Sequence, residues 1–134
     1  MKSSLGFICL FLIGLFLTYC EDSQEFKQGQ SLYLNYCSSC HLERGQGLRG
    51  LYPPLAKSDY LAEHQEEFAC LIRYGIEEKI KVNGKEYELP MAGIKDLSDF
   101  EITNIINFIN HSWGNDLGYV KFVDVKNQLN ACEK

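Results

Sequence analysis

Two cysteines and a histidine stand close together in the segment Cys37-Ser38-Ser39-Cys40-His41. Positions three and four residues apart lie on one face of a helix, so both thiols and the imidazole would point the same way. Two thiols in this arrangement can bond covalently to the vinyl groups of a haem, and the adjacent imidazole can bind the iron. The spacing therefore predicts a c-type haem attachment site.

Three other interpretations of the C-x-x-C pair fit the sequence less well. A thioredoxin-type redox pair would follow a strand in a βαβ unit, and no such pattern precedes Cys37. A structural zinc ion needs four ligands, and the chain has neither a second C-x-x-C nor an H-x-x-x-H. The third interpretation is that the C-x-x-C pair occurs in a helix by chance. It does not explain why the chain also has an export signal and a downstream methionine, both described below.

Met91 is the candidate for the second axial ligand of the iron. Apart from Met1 it is the only methionine, and it lies in a loop before the last predicted helix. A lone methionine often fills space in a core, but this position relative to the haem motif favours iron ligation. His64 stands among acidic residues and His111 at the polar end of the last helix, so both are expected on solvated surfaces.

The N-terminal segment has the order of a secretory signal. Lys2 precedes an apolar run from Leu5 to Leu17, and a possible cleavage segment ends at Cys20. The alternative is a transmembrane anchor, but this run of 13 residues is shorter than the roughly 20 that cross a bilayer. We expect residues 1–19 to be a signal peptide and the protein to be exported to a bacterial periplasm.

Cys20 resembles the lipidated cysteine of bacterial lipoproteins. Leu17, Thr18 and Cys20 suit the lipobox, whereas Tyr19 stands where that motif usually has a small residue. The resemblance implies a lipid anchor at Cys20, with more than one acyl chain needed for stable membrane binding. Residues 20–28 would form a polar tether, and about eight extended residues span roughly 25–30 Å.

The formal net charge of −5 argues against a nucleic-acid partner, because phosphates demand basic side chains. An acidic surface suits a partner with a basic docking surface, found by electrostatic steering; it is equally the surface of an ordinary soluble protein. Cys70 and Cys132 are an even pair for an oxidising compartment. They either form a disulfide that ties the C-terminal tail to a helix, or Cys70 is buried and Cys132 is free.

Several elements must position these residues. A helix is expected to begin near Glu25, with small, aromatic and cysteine residues at three- and four-residue steps. A loop rich in glycine and proline follows over residues 45–54. Ser58 would cap a short helix, and Gly75 would end another helix over residues 66–74.

The C-terminal half contains the clearest local signals. An Asn-Gly pair between alternating residues predicts a small β-hairpin over residues 80–87. Ser98 and Glu101 form a capping box at the start of the last helix, which carries a stripe of isoleucines. Residues 123–129 could add a helical turn in the tail.

From about residue 26 to residue 115 the chain resembles the class I cytochrome c family. Gly29 and Tyr33 precede the haem motif by eight and four residues, where the family has a small and an aromatic residue at the crossing of its first and last helices. Ile105 and Phe108 stand where the last helix would supply its side of that crossing.

The resemblance implies further site residues and a fold. Pro53 and Leu55 follow His41 by twelve and fourteen residues; the proline carbonyl would accept a hydrogen bond from the imidazole, and the leucine would pack on the haem. Met91 precedes the last helix as the axial methionine of the family does. The implied fold is all-α, with N- and C-terminal helices crossing around one covalent haem c and a β-hairpin inserted near 80–88.

The resulting domain prediction is a signal peptide at 1–19, a tether at 20–28, a cytochrome c domain at 29–115 and a C-terminal extension at 116–134. With both axial positions filled, the iron offers no place for substrate, so we expect a monomeric electron-transfer protein, not an enzyme. Residues 82–87 and 110–115 look like those of small cytochrome domains that accompany periplasmic copper nitrite reductases, oxidases and dehydrogenases.

Two alternatives remain open at this point. The chain could be the haem subunit of a periplasmic reductase, dehydrogenase or oxidase complex. It could also be a haem protein in which Met91 is displaceable, so that the iron binds peroxide or a diatomic gas. The first alternative keeps electron transfer and changes only the partner, whereas the second makes the protein a catalyst or a sensor.

Overall fold

The computed structural model describes residues 26–132. The predicted signal peptide, the candidate lipidation site Cys20 and residues 21–25 of the predicted tether lie outside this range. Lys27 and Gln28, which the tether prediction included, form the beginning of the first helix. Within the described range, no helix has both the length and the apolar character that crossing a membrane requires.

The described chain is mainly helical, with two short antiparallel ribbons, which confirms the predicted fold class. The helices are α1 (Lys27–Tyr36), α2 (Ser38–His41), α3 (Asp59–Glu63), α4 (Phe68–Tyr74), α5 (Asp99–Asn110) and α6 (Phe122–Ala131). The strands are β1 (Gly75–Ile76), β2 (Ile80–Val82), β3 (Lys85–Tyr87) and β4 (Met91–Ala92). Strand β1 pairs with β4 and β2 pairs with β3.

Capping side chains set several helix boundaries where the sequence predicted them. Ser58 Oγ accepts a hydrogen bond from the Leu61 backbone N–H at 3.2 Å and caps α3. Ser98 and Glu101 form the predicted capping box of α5, each side chain bonded to the other residue's backbone N–H. Helix α4 begins later than expected, because residues 65–67 form a 3₁₀ turn before it.

Helices α1 and α5 cross in close contact at Gly29. A Cβ atom at this position would collide with the backbone carbonyl of Asn104 and would lie 2.7 Å from Cβ of Phe108. The Tyr33 ring packs beside Phe108 at a centroid distance of 5.5 Å. Phe108 therefore lies at the crossing as expected, and the backbone of Asn104 lies closest to Gly29. Ile105, the other residue expected there, is fully buried and lines the central cavity.

The C-terminal segment packs on the same hydrophobic core as the rest of the domain. Val125 of α6 is fully buried in that core. The Asn107 side chain donates to the Val120 carbonyl at 2.9 Å and accepts from the Val120 N–H at 2.8 Å. Cys70 and Cys132 are joined in a disulfide, the first of the two alternatives that the sequence left open.

Replacement of Gly29 with alanine should lower the free energy of unfolding by about 1–3 kcal/mol, the usual cost of overpacking. The added methyl group meets a backbone carbonyl, which cannot move aside as a flexible side chain can. This loss must exceed the gain of roughly 1 kcal/mol that alanine brings to a helix interior. Urea unfolding monitored by circular dichroism measures the change.

Gln30→Ala is the matched control for Gly29→Ala, since Gln30 is the next residue of α1 and is exposed. Its free energy of unfolding should stay within about 0.5 kcal/mol of the parent value, as for most surface substitutions. Equal stability of the two variants would contradict the close crossing of α1 and α5.

Candidate functional site

An apolar cavity lies at the centre of the fold, with walls from α2, α3, α4, α5, the β-strands and the loop after α2. Its volume is about 60 Å³. His41 is the only titratable base among its described lining residues, which include no Asp, Glu, Lys or Arg. These are Cys37, His41, Pro53, Pro54, Leu55, Ser58, Tyr60, Leu61, Phe68, Leu71, Ile72, Ile76, Ile80, Val82, Met91, Ile94, Ile105 and Ile109.

A more open space adjoins this cavity and shares part of its lining. Cys37, His41 and Met91 border both spaces, and Cys40 borders the open one. Tyr36 and Leu89, both about half exposed, also line the open space. The central cavity therefore continues toward the protein surface on the side that carries the two cysteines.

The structure brings together the residues that the sequence singled out. Pro53 and Leu55 come from the loop after α2, and both line the central cavity with Met91 of β4. The competing histidines lie elsewhere. His64 follows α3 with its ring 4.0 Å from that of Tyr60, and His111 stacks on Phe26 at the end of α5 at 4.7 Å.

The hydrogen bond from His41 to Pro53 determines which imidazole nitrogen is available. Nδ1 of His41 lies 3.0 Å from the Pro53 carbonyl oxygen. A carbonyl only accepts, so Nδ1 carries the proton and Nε2 keeps its lone pair. Burial lowers the pKa of His41, although the bond to Pro53 opposes this effect. Both the tautomer and the neutral charge state suit a metal ligand.

The two cysteines and His41 lie on consecutive turns of the backbone at the end of α1. The Cys37 N–H donates to the Tyr33 carbonyl at 2.8 Å, and the His41 N–H donates to the Cys37 carbonyl at 2.9 Å. Burial, and secondarily the neighbouring Cys40, raises the pKa of the Cys37 thiol to about 12. Cys37 is therefore an uncharged thiol at neutral pH, which suits an apolar wall.

Backbone contacts fix Met91 against the end of α4. Met91 pairs with Ile76 in the β1–β4 ribbon. Gly75, at the start of β1, approaches the Met91 carbonyl so closely that no side chain would fit there. Gly93 lies in similar contact with the backbone of Tyr74. The thioether is thus carried by a segment with little freedom, on a different element from His41.

Comparison with known proteins accounts for this arrangement. The family model for cytochrome c matches residues 26–113, which is more than half of the chain. The chain belongs to the cytochrome c family. The match spans α1 to α5 and every residue of the candidate site, and it ends before α6.

Individual relatives agree with this assignment. A cytochrome c-552 from Thermus thermophilus is 32% identical over 109 residues, covering 78% of this chain and 68% of the relative. The cytochrome c subunit of the quinone alcohol dehydrogenase of Gluconobacter oxydans is 30% identical over 101 residues. That match covers 73% of this cytochrome and only 21% of the subunit, so it concerns one part of a larger protein.

The cofactor of this cytochrome is a covalently bound haem c, and the residues present fit such a group. Two thiols lie one helical turn apart beside an apolar cavity, as covalent attachment to two vinyl groups requires. A neutral imidazole and a thioether border the same cavity from α2 and β4. The remaining lining is almost wholly hydrocarbon and aromatic, which suits a flat apolar macrocycle.

Asn115 supports the cavity wall and was not recognised as a site residue from the sequence. Its Nδ2 donates to the carbonyl oxygens of Leu55 at 3.1 Å and of Ile109 at 2.8 Å. Its Oδ1 accepts from the Lys57 N–H at 2.6 Å. One amide thus ties the Leu55 loop to the end of α5. The available signal was that residues 110–115 look like those of small cytochrome domains, which did not give Asn115 a role.

Substitution of Asn115 with aspartate should destabilise this cytochrome by about 2–3 kcal/mol. Aspartate keeps the acceptor for the Lys57 N–H but has no donor for the two carbonyl groups, which are left facing a carboxylate. Asn127→Asp, on the exposed face of α6, makes the same chemical change and should cost less than about 0.5 kcal/mol. Urea unfolding of both holoproteins compares them, and equal losses would contradict the role of Asn115.

Proposed function

We propose that this cytochrome c holds one haem through thioether bonds to Cys37 and Cys40, with His41 and Met91 as the axial ligands of the iron. The observation that carries the proposal is the convergence of four segments on one apolar cavity. The cysteines and His41 come from the end of α1 and from α2, Pro53 and Leu55 from a loop, and Met91 from β4. The sequence predicted the cysteines and His41 from their motif and Met91 from its position before the last helix, whereas Pro53 and Leu55 came from the resemblance to the family.

The haem iron supplies one-electron redox chemistry, and the chain determines how it is used. His41 is oriented through its bond to the Pro53 carbonyl. The neutral thioether of Met91 favours the ferrous state and thereby raises the reduction potential. With His41 and Met91 both bound to it, the iron would offer no place for substrate or oxygen. The protein therefore transfers electrons between redox partners without binding a substrate.

We further propose that the protein works in the bacterial periplasm, tethered to a membrane through a lipid on Cys20. The signal-like segment before Cys20 and the lipobox-like order of Leu17 to Cys20 support this location. Its redox partners would be an oxidase, a reductase or a dehydrogenase. A relative that is the cytochrome subunit of a quinone alcohol dehydrogenase favours a second candidate role, as the haem subunit of such a complex.

Met91→Ala should remove the near-infrared band of the ferric sulfur–iron bond and let carbon monoxide bind the ferrous iron. The reduction potential should fall by about 0.1–0.3 V, part of the roughly 0.8 V range that axial ligands control. Optical spectroscopy and a redox titration measure these changes. Leu51→Ala, at an exposed position that lines neither the central cavity nor the open space, should keep the band and exclude carbon monoxide. A Met91→Ala protein that retains the band would refute the ligand assignment.

Cys20→Ser should abolish lipid attachment. The unsubstituted protein, produced in a bacterium with haem-attachment and lipoprotein-processing machinery, should partition into detergent and give an acylated N-terminal peptide beginning at Cys20. Cys20→Ser should give no acylated peptide, whereas Cys9→Ser should behave as the parent, because Cys9 lies within the predicted signal. Mass spectrometry of the N-terminal peptide shows whether acyl groups are attached. A parent protein that is recovered without acyl groups would refute the anchor and leave the haem assignment intact.

A further inference from the structure

Residues 75–92 form one long hairpin whose base carries Met91. Strands β1 and β4 pair at the base, with Ile76 opposite Met91. Strands β2 and β3 continue the same two arms and pair from Ile80 with Tyr87 to Val82 with Lys85. The tip of the hairpin and the Met91 segment are therefore two ends of one continuous ribbon.

The hairpin is also a wall of the haem cavity. Ile76, Ile80 and Val82 line the central cavity, and Tyr87 lines the adjoining open space. Val82 and Tyr87 are almost wholly buried, with 1% and 5% of their surface exposed. If the hairpin moved away from the helices, this side of the cavity would be open to water.

Two reciprocal hydrogen bonds hold the tip of the hairpin to the helical body. The Asp59 N–H donates to Asn83 Oδ1 at 3.1 Å, and the Asn83 N–H donates to Asp59 Oδ1 at 2.6 Å. Asp59 is the first residue of α3 and follows the cap Ser58, which lines the cavity. Asn83 follows Val82. Each partner thus adjoins a residue of the cavity wall, and neither lines the cavity itself.

Other polar contacts of the hairpin do not replace this pair. Lys79 forms ion pairs with Glu86 and Glu88 at 2.7 and 3.3 Å, but all three residues belong to the hairpin and are exposed. Such pairs join one arm to the other and contribute little to stability. Asn83 also has a φ of 49°, which asparagine tolerates well in a two-residue hairpin turn.

We infer that the Asp59–Asn83 pair is a latch that keeps the hairpin closed over the haem cavity, positions Met91 through the hairpin arms and limits the access of small external ligands to the iron. The inference rests on the proposed function, since it takes haem to occupy the cavity and Met91 to bind its iron. Asp59 and Asn83 are positioning residues, because they act through the hairpin and touch neither ligand of the iron.

Substitutions at Asp59 separate the latch from the charge of its carboxylate. Asp59→Ala removes the acceptor of the Asn83 N–H and also that of the Tyr60 N–H, whereas Asp59→Asn removes the charge but keeps an oxygen in that place. Asn83→Gly removes the side-chain oxygen that accepts from the Asp59 N–H. Glycine adopts a positive φ readily, so the turn itself should be kept. It also provides a second variant should Asp59→Ala fail to fold.

Two measurements on the holoproteins test the latch. Backbone amide hydrogen exchange in β2 and β3 of the reduced protein reports opening of the hairpin. The rate at which imidazole displaces the thioether from the ferric iron, followed through loss of the near-infrared band, reports ligand access. Asp59→Ala and Asn83→Gly should raise both rates about three- to tenfold, as expected for loss of one hydrogen bond. Asp59→Asn should stay within about twofold of the parent, and exchange in the middle of α5 should be unchanged in all variants.

The remaining outcomes of these two measurements would contradict either the latch or the assignment of Met91. Unchanged exchange and unchanged imidazole binding in Asp59→Ala and Asn83→Gly would overturn the latch, as would faster exchange without faster imidazole binding. If the parent protein itself lacks the sulfur–iron band, the Met91 assignment fails instead. Amide exchange, together with imidazole binding followed in the visible haem spectrum, would then still decide whether the pair controls the hairpin and access to the iron.

Discussion

The close crossing of α1 and α5 is the packing constraint on which the site depends. At Gly29 the backbone of α1 approaches the Asn104 carbonyl within a distance that no side chain allows. The end of α1, with Cys37 and the turn that follows, is thereby placed beside the isoleucines of α5 that line the cavity. Tyr33 closes the crossing against Phe108. A looser crossing would move the imidazole of the haem motif relative to the element that supplies the thioether.

In this small domain the hydrophobic core consists of both side chains and the cofactor. A domain of this size buries a limited fraction of its surface, and here hydrocarbon side chains at the centre of the fold face inward on a cavity. Haem is large, flat and apolar, so it completes packing that the side chains leave unfinished. Covalent attachment then makes the retention of the group independent of how well that packing holds it.

Local chemistry was predictable from the residues themselves, whereas long-range placement was predictable only as far as the resemblance to a known family reached. The haem motif over residues 37–41, the capping box of α5 and the Asn-Gly hairpin each depend on residues a few positions apart, and their interpretation needed only helix or turn geometry. Three other features depend on how distant elements pack. They are the approach of the Asn104 carbonyl to Gly29, the bonds of Asn115 to two separate segments, and the burial of Val82 in the cavity wall.

The disulfide between Cys70 and Cys132 has a consequence for how the protein is made. A thioether to haem forms only from a thiol, so the proposed attachment at Cys37 and Cys40 requires these two residues to stay reduced while Cys70 and Cys132 are oxidised. The four cysteines of the described residues therefore have to avoid mispairing during maturation. The order of synthesis does not prevent it, because Cys132 follows Cys70 by 62 residues, so Cys70 meets both cysteines of the haem motif before its proper partner is made.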